Sequence, residues 1–185
     1  MNTEKQKMVA GDLYDALDPQ LVEERLQARK LLQAFNGTFA GDEEHRKEIA
    51  SKLFGAVGKN IWIEPPFYCD YGSNIILGDK VYFNFNCVIL DSAPVRIGSN
   101  VMFGPAAQIY TATHPVPYLE RRRGLEYAMA IEIGSDVWVG GGVMINPGVK
   151  IGPRSVIGAG SVVTKDIPPD VFAAGNPCKV IRELD

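Results

Sequence analysis

The hydrophobic positions between residues 133 and 168 recur every six residues without a break in register. Each six-residue block opens with an aliphatic residue and carries a second small or aliphatic residue four positions later. The opening residues are Ile133, Val139, Ile145, Ile151, Ile157 and Val163, and the second ones are Val137, Val143, Val149, Ser155, Ser161 and Ile167. Six is not a helical period, and six-residue repeats are typical of a parallel β-helix. The pattern therefore predicts triangular coils of about 18 residues with the opening residues stacked inside.

The same spacing begins earlier in the chain. It relates Leu77, Phe83 and Ile89, and then Ile97, Phe103 and Ile109. Between these two sets the phase slips by two residues near Ser92-Ala93-Pro94, which predicts a small insertion at a corner. Roughly 110 residues at about 18 per coil predict about six coils, stacked to a height on the order of 30 Å.

The periodicity is lost from residue 111 to about residue 130, in a segment rich in Pro, Tyr and Arg. We interpret this segment as a loop that leaves the coil, and loops of this kind on repeat scaffolds often carry binding residues. After Pro168 the chain leaves the repeats for a short C-terminal tail. Residues 56–185 are therefore expected to form the β-helix, with the extruded loop at 111–130.

Residues 1–55 have a different pattern and predict an α-helical region. Asp18-Pro19 matches a helix N-cap followed by proline at the first helical position, and Asn36-Gly37 matches a helix end. A second helix is expected to start at Asp42 and to end at Gly55. The side chains predicted to face inward are Leu21, Ala28, Leu32 and Phe35 in the first helix and Ile49, Leu53 and Phe54 in the second. Neither helix is long enough to be stable alone, so both should pack on the coils.

Composition and charge describe an ordinary globular protein. The 185 residues are 46% hydrophobic and 22% charged, with a net charge of −3, which favours neither nucleic acid nor an anionic membrane as a partner. The first eleven residues lack the apolar run of a signal peptide, and no apolar stretch approaches the roughly 20 residues that span a bilayer. Cys69, Cys87 and Cys178 are odd in number and lack metal-ligand spacing. We therefore expect reduced thiols in a cytoplasmic protein.

The chain contains two histidines, and their surroundings differ. His45 lies among charged residues of the predicted second helix and is expected to be solvated. His114 lies in the segment Tyr-Thr-Ala-Thr-His-Pro at the base of the extruded loop. An imidazole titrates near neutral pH, which suits a general base. A loop histidine without a role is the alternative, and the position of His114 favours the catalytic interpretation.

Several segments resemble the maltose and galactoside O-acetyltransferases, which are hexapeptide-repeat acetyltransferases that use acetyl-CoA. The segments are IEPPFYCDYGSN (63–74), NFN (84–86), YTATHP (110–115), VWVGG (137–141), INPGV (145–149), VVTKDIP (162–168) and AAGNPCKVIR (173–182). The likeness extends over nearly the whole chain, including the N-terminal helical region. It implies a homotrimer of left-handed parallel β-helices with active sites in the clefts between neighbouring subunits.

By this resemblance, His114 is the general base that removes a proton from a sugar hydroxyl, which then attacks the acetyl thioester directly. Asn84 matches an asparagine that helps to hold the acceptor hydroxyl. For Asn84 the alternative is a corner residue that bonds its own backbone. The positions that match the sugar-contacting region are Asp70, Tyr82 and Asp91. For these three residues the alternative is surface polarity without a role.

Two departures from the galactoside enzymes bear on the acceptor. Those enzymes resemble this chain but carry serine at the position of Asp70 and a second aspartate at the position of Ser92. Polar groups that bond sugar hydroxyls provide specificity for a polyol, because a missing partner leaves buried groups unpaired. The departures favour a glucose or maltose-type acceptor over a galactoside.

The resemblance also implies a groove for acetyl-CoA. The matching coenzyme-binding positions are Gly141, Ala159, Thr164, Lys165, Lys179 and Arg182. Glycine is also demanded by the backbone geometry of a β-helix corner, so Gly141 has a structural alternative. Lys179 stands where the family has arginine, and it keeps the charge but loses bidentate geometry. For the basic residues the alternative is a solvated surface.

Three other functions are alternatives to acetyl transfer to a sugar of the maltose type. A metal-dependent carbonic anhydrase on the same scaffold needs three histidines per site, which His45 and His114 cannot supply, so we expect no metal requirement. A non-catalytic scaffold predicts flat faces without an extruded loop. The same chemistry on another acceptor, such as a galactoside, an amino sugar, a lipo-oligosaccharide precursor or an antibiotic, stays open. The sequence thus predicts acetyl transfer to a hydroxyl, expected at the 6 position, of maltose, glucose or a related sugar.

Overall fold

The computed structural model describes residues 2–184, and within them the chain from residue 56 onward winds into a parallel β-helix with three faces. Face 1 contains β2 (Ala56–Val57), β5 (Ile75–Leu77), β8 (Val95–Ile97), β13 (Ile131–Ile133) and β16 (Lys150–Ile151). Face 2 contains β3 (Trp62–Ile63), β6 (Tyr82–Phe83), β9 (Met102–Phe103), β14 (Trp138–Val139), β17 (Val156–Ile157), β19 (Val171–Ala174) and the antiparallel β20 (Lys179–Glu183). Face 3 contains β4 (Phe67–Cys69), β7 (Cys87–Leu90), β10 (Gln108–Tyr110), β15 (Met144–Ile145) and β18 (Val162–Val163).

Two edges of this prism border face 3. The edge that joins face 2 to face 3 is called the glycine edge and comprises residues 84–86, 104–107, 140–143 and 158–161. The edge that joins face 3 to face 1 is called the loop edge and comprises residues 70–74, 91–94, 111–130, 146–149 and 164–166.

The interior confirms the six-residue pattern. Strand register stacks Leu77, Ile97, Ile133 and Ile151 in one inward column, and all four are buried. The inward residues of the second position of each block are buried as well, including two serines. The Ser155 hydroxyl donates to the backbone carbonyl of Pro168 at 2.8 Å, so its burial leaves no polar group unpaired.

The coils differ in length along the stack. Leu77 pairs with Ile97, a step of 20 residues, whereas Ile133 pairs with Ile151, a step of 18. The extra two residues lie at the loop edge, where the sequence predicted an insertion near Ser92-Ala93-Pro94. The longer coils contain the large side chains Phe67, Phe83 and Phe103, with ring centroids 5.4 and 4.4 Å apart.

The N-terminal region contains α1 (Glu4–Ala10), β1 (Tyr14–Asp15), α2 (Pro19–Asn36) and α3 (Glu43–Leu53). The Asp18 side chain accepts the Gln20 N–H, and so caps α2 as the sequence indicated. The predicted inward residues of α2 and α3 are buried, and most of them join the same hydrophobic core as the coils. Because the helices bury this apolar side against the first coil, they close the N-terminal end of the stack. The sequence pattern indicated neither α1 nor β1.

The segment predicted as an extruded loop contains regular structure. It comprises β11 (Ala112–Thr113), α4 (Tyr118–Arg121) and β12 (Leu125–Ala128). Strand β12 lies between β11 and β1 in a small antiparallel sheet. The N-terminal arm therefore adds an outer strand to the loop, which the chain pattern did not indicate.

Cys69, Cys87 and Cys178 are buried free thiols. No helix within residues 2–184 combines the length and the apolar character that a membrane span requires.

Candidate active site

His114 lies at the start of the loop segment, directly after β11, and half of its side chain is exposed. Its Nδ1 is 3.2 Å from the backbone carbonyl oxygen of Leu125. A carbonyl oxygen can only accept a hydrogen bond, so Nδ1 carries the proton of the neutral ring. The other nitrogen, Nε2, is then the basic atom. The backbone of β12 thus selects the tautomer that a general base needs.

A carboxylate faces that basic nitrogen. Glu126 Oε1 is 3.9 Å from His114 Nε2, and Glu126 Oε2 accepts a hydrogen bond from the Tyr14 hydroxyl at 2.7 Å. A negative charge at this distance stabilises the imidazolium that forms when Nε2 takes a proton. The sequence pattern indicated neither Glu126 nor Tyr14, because both lie where the six-residue repeat is absent.

Asp70 and Asp91 lie at the same edge and have different environments. Asp91 is fully buried, and its Oδ1 accepts the backbone N–H groups of Asp70 at 3.0 Å and Tyr71 at 2.9 Å. Burial raises the pKa of Asp91 to about 6, although the N–H of Tyr71 opposes the rise. Asp91 therefore shapes the turn at residues 70–74, and it reaches the predicted sugar site through that turn.

Asp70 is only partly buried, so its carboxylate can reach a bound molecule. Burial raises the pKa of Asp70, the cation of Arg25 opposes this rise, and the negative charge of Glu126 adds to it. Asp70 is therefore electrostatically coupled to the carboxylate beside His114. The structure brings these acidic groups and the histidine together on the loop edge.

The glycine edge contains Asn84, Gly141 and Ala159, and Tyr82 lies just before it on β6. Asn84 Oδ1 accepts its neighbour's backbone N–H, from Phe85, at 2.8 Å, which is the local bond expected of a corner asparagine. Its Nδ2 makes no hydrogen bond within residues 2–184 and remains available as a donor.

Glycine occurs at this edge for two different physical reasons. A Cβ on Gly104 would lie 2.4 Å from the backbone nitrogen of Gly141, so close stacking of the coils requires glycine there. Gly142 and Gly160 differ, because a Cβ on either would meet nothing within 4 Å. Both have positive φ, 66° and 71°. Open backbone without side chains therefore borders the edge at these two turns.

The residues of the glycine edge and those of the loop edge lie on opposite sides of face 3. The strands of that face separate the glycine edge from the loop edge by about five residues, or on the order of 15 Å at about 3.3 Å per residue. One chain therefore does not bring Asn84, Gly141 and Ala159 together with His114.

The remaining predicted coenzyme residues lie toward the C-terminal end of the stack. Thr164 and Lys165 are on the loop edge, whereas Lys179 and Arg182 are on β20. All four are exposed, and none of the three cations makes an ion pair with a described residue. The described part of the chain holds no group of three or more His, Cys, Asp or Glu residues placed to bind a metal ion.

The comparisons with known proteins agree with the fold and extend over the whole chain. Residues 7–58 match the family model of the maltose acetyltransferase hexapeptide capping motif, and residues 130–165 match that of the bacterial transferase hexapeptide with six repeats. The galactoside O-acetyltransferase of Escherichia coli strain K12 is 46% identical over 180 residues, which cover 97% of this chain and 89% of that protein.

Solved structures give the same result. A maltose O-acetyltransferase from Clostridium difficile 630 is 49% identical with a TM-score of 0.99, and the match covers 100% of this chain and 98% of that one. A galactoside acetyltransferase in complex with coenzyme A is 45% identical with a TM-score of 0.96, covering 100% and 92%. The resemblance seen in the sequence is confirmed, and the chain belongs to the maltose and galactoside O-acetyltransferase family of hexapeptide-repeat acetyltransferases.

Proposed function

We propose that the protein is an acetyl-CoA-dependent O-acetyltransferase that acetylates the 6-hydroxyl of glucose, maltose or a related sugar. The observation that carries the proposal is the His114 ring, whose Nδ1 is held by a backbone carbonyl while Nε2 is left basic beside Glu126. Membership of the family supports the donor, since a galactoside acetyltransferase 45% identical to this chain binds coenzyme A.

The chemistry follows from the different environments of the two imidazole nitrogens. His114 Nε2 takes the proton of the acceptor hydroxyl while that oxygen attacks the acetyl carbonyl carbon. The new bond between carbon and oxygen forms, the bond between carbon and sulfur breaks, and the proton on Nε2 passes to the leaving sulfur. Glu126 stabilises the positive charge that the ring holds between the two proton transfers.

Side chains at the two edges would orient the acceptor. The Asp70 carboxylate can accept hydrogen bonds from sugar hydroxyls. At the other edge the Tyr82 hydroxyl can donate or accept, and the free Nδ2 of Asn84 can donate. Asp70 in place of serine supports a glucose-type acceptor, because a carboxylate without a hydroxyl partner would be left unpaired. Asp91 contributes by holding the turn that carries Asp70.

The described residues fit the donor. Acetyl-CoA supplies the acetyl group as a thioester. The open backbone at Gly142 and Gly160, with Gly141 and Ala159 beside it, can approach the pantetheine chain closely. Exposed Lys165, Lys179 and Arg182, with Thr164 as a hydroxyl donor, can bind the nucleotide phosphates.

A closed trimer would complete the site. The loop edge with His114 and the glycine edge with Asn84 border opposite sides of face 3. A cyclic assembly can therefore set the loop edge of one copy against the glycine edge of the next. An apolar column on face 2 supports an assembly, since Trp62, Met102 and Trp138 are between 38% and 53% exposed in the single chain.

The activity is tested by thiol release from acetyl-CoA with glucose, maltose, a galactoside and glucosamine as acceptors. We expect the highest kcat/KM with glucose or maltose, and mass spectrometry should locate the acetyl group on the 6-hydroxyl. Thiol release that no sugar accelerates would contradict the proposed activity.

Sharing of the site between copies is tested by complementation. His114→Ala and Asn84→Ala should each be inactive alone, and co-assembled 1:1 mixtures should regain activity at roughly a quarter of the sites. Light scattering should give three times 20.2 kDa. An active monomer, or mixtures without recovery, would contradict the shared site.

A further inference from the structure

The N-terminal arm, residues 3–16, packs separately from the main core. Its apolar residues Met8 and Tyr14 form a second small core with Leu21 of α2 and Tyr71 of the loop-edge turn. Helix α1 is capped at both ends, and Lys5 is 2.8 Å from Glu24 of α2. The arm is thus fixed to α2 and to the loop edge at once.

The arm reaches the catalytic groups through its strand. In the antiparallel pair of β1 and β12, Tyr14 lies opposite Glu126 and Asp15 lies opposite Leu125. The Tyr14 hydroxyl donates to Glu126 Oε2, and the other oxygen of the same carboxylate faces His114 Nε2. The carbonyl of Leu125 holds the other ring nitrogen of His114. Both contacts of the imidazole therefore come from the strand that β1 borders.

Tyr14 is suited to hold this carboxylate. Its ring is buried, and burial raises the pKa of Tyr14 far above its ordinary value, so the phenol stays protonated and donates. The Glu126 side chain is one-quarter exposed and would otherwise be free to turn toward solvent. A hydrogen bond to an ionised acceptor is among the stronger ones in proteins, and it fixes the direction of the carboxylate.

We propose that Tyr14 is a positioning residue, whose hydroxyl holds the Glu126 carboxylate beside the His114 imidazole, so that the N-terminal arm completes the proposed active site at the loop edge. The inference rests on the proposed function, because it assigns the arm to the acid–base step of that reaction. It predicts that the hydroxyl of Tyr14, and not only its ring, contributes to turnover.

The experiment compares two tyrosines of the same small core. Tyr14→Phe keeps the buried ring and removes the hydroxyl, which donates to Glu126 and also interacts with the Ser92 hydroxyl. Tyr71→Phe is the matched control, since it removes a hydroxyl that accepts from Arg25 Nη1 at 2.6 Å and makes no hydrogen bond to Glu126 among the described residues. We expect Tyr14→Phe to lower kcat about 10-fold with KM for acetyl-CoA nearly unchanged, because slight misplacement of catalytic groups can cost up to about 100-fold. Tyr71→Phe should keep kcat within about 2-fold of wild type.

A spectroscopic measurement tests the same contact without turnover. The chain has two histidines, so a His45→Gln background assigns the ring resonances of His114 by NMR. These resonances should move in Tyr14→Phe and stay in place in Tyr71→Phe. In a Glu126→Gln background, Tyr14→Phe should change kcat by less than about 2-fold, because the two residues act through one contact.

The outcomes separate the two proposals. Absence of acetyl transfer by the wild-type protein would refute the proposed function. Unchanged His114 resonances in Tyr14→Phe would refute the positioning role whether or not acetyl transfer occurs. Equal losses of kcat in Tyr14→Phe and Tyr71→Phe would also overturn it, since that result would mean that the small core acts only through stability.

Discussion

The two edges beside face 3 are built from one chain by opposite means. At the glycine edge successive coils turn in nearly the same way, and Gly104 stacks on Gly141 so closely that no side chain fits. At the loop edge each coil differs, from the turn held by Asp91 to the twenty residues at 111–130 that form their own small sheet. The regular edge offers backbone, whereas the irregular edge offers ionisable side chains.

This difference shows what strict periodicity permits. Where coils must stack, packing decides both the inward residues and the corner residues, so the repeat leaves little freedom for acid–base groups. Those groups require particular neighbours at particular distances, and the chain provides them where it departs from the repeat. Replacing a loop-edge residue should therefore remove chemistry, and replacing an inward residue should remove stability.

The largest effect is expected for His114→Ala. The variant should lose about 10²- to 10⁴-fold in kcat, which is the usual contribution of a positioned general base. KM for acetyl-CoA should stay near wild type, because the proposed donor contacts lie on other residues. Steady-state kinetics on both substrates measure the two parameters separately.

His45→Ala provides the control for that substitution. His45 is exposed on α3, and its Nδ1 lies 3.9 Å from Glu48 Oε2, far from the loop edge in sequence, so its loss should leave kcat nearly unchanged. An His114→Ala enzyme that keeps more than about a tenth of the activity would contradict the assignment of the base.

The inward residues test the other half of the comparison. Ile151→Ala removes a buried side chain that stacks on Ile133, and it should lower the free energy of unfolding by about 2–5 kcal/mol. Lys150→Ala, at the adjacent outward position of β16, should change it by less than about 0.5 kcal/mol. Denaturant unfolding at one protein concentration measures both, and residual activity of folded Ile151→Ala should stay near wild type. A similar loss for both variants would contradict the stacked interior.

The sequence sufficed for the parts of the fold that repeat. The inward positions, the two-residue insertion near Ser92 and the cap of α2 at Asp18 all follow from local patterns, and the structure confirms them. Helix α1 and strand β1 escaped prediction because Met8 and Tyr14 are isolated buried residues without a period.

The site could be predicted only in part, for a related reason. His114 stands out because histidine is rare in this chain and lies where the repeat ends. The contact between Tyr14 and Glu126 joins residues 112 positions apart, and antiparallel register alone brings them together. The division of the predicted residues between two edges likewise depends on which strand lies on which face, and composition does not contain that information.

Asp91 gives a pH-dependent test of the loop edge. Its pKa in the folded protein is raised to about 6 from 3.8, so its contribution to stability is complete below about pH 4 and is lost as pH rises through about 6. Over this window Asp91→Asn should gain stability relative to wild type by up to about 1.4 kcal/mol per pH unit. Urea unfolding across pH 4–7 measures the difference.

Asp79→Asn is the matched control for this measurement. Asp79 also accepts a backbone N–H, from Lys59 at 2.7 Å, but its carboxylate is exposed. Its stability difference from wild type should change much less across the same window. A parallel trend in the two variants would contradict a specific effect of the buried carboxylate.

The smallest effect is expected for exposed cations that lie outside both edges. Lys179 and Arg182 are exposed on β20, so the contacts to phosphate proposed for them would act through binding and be weakened by salt. Replacing both with alanine should raise KM for acetyl-CoA about 10-fold at low salt, with little change in kcat at saturation.

An acetyl thioester of pantetheine, which lacks the nucleotide phosphates, is the control donor. Its KM should be almost the same for wild type and the double variant. Titration of both donors at two salt concentrations distinguishes the cases, because losses that are equal for both donors would mean that these cations support the fold or the assembly and do not bind the coenzyme.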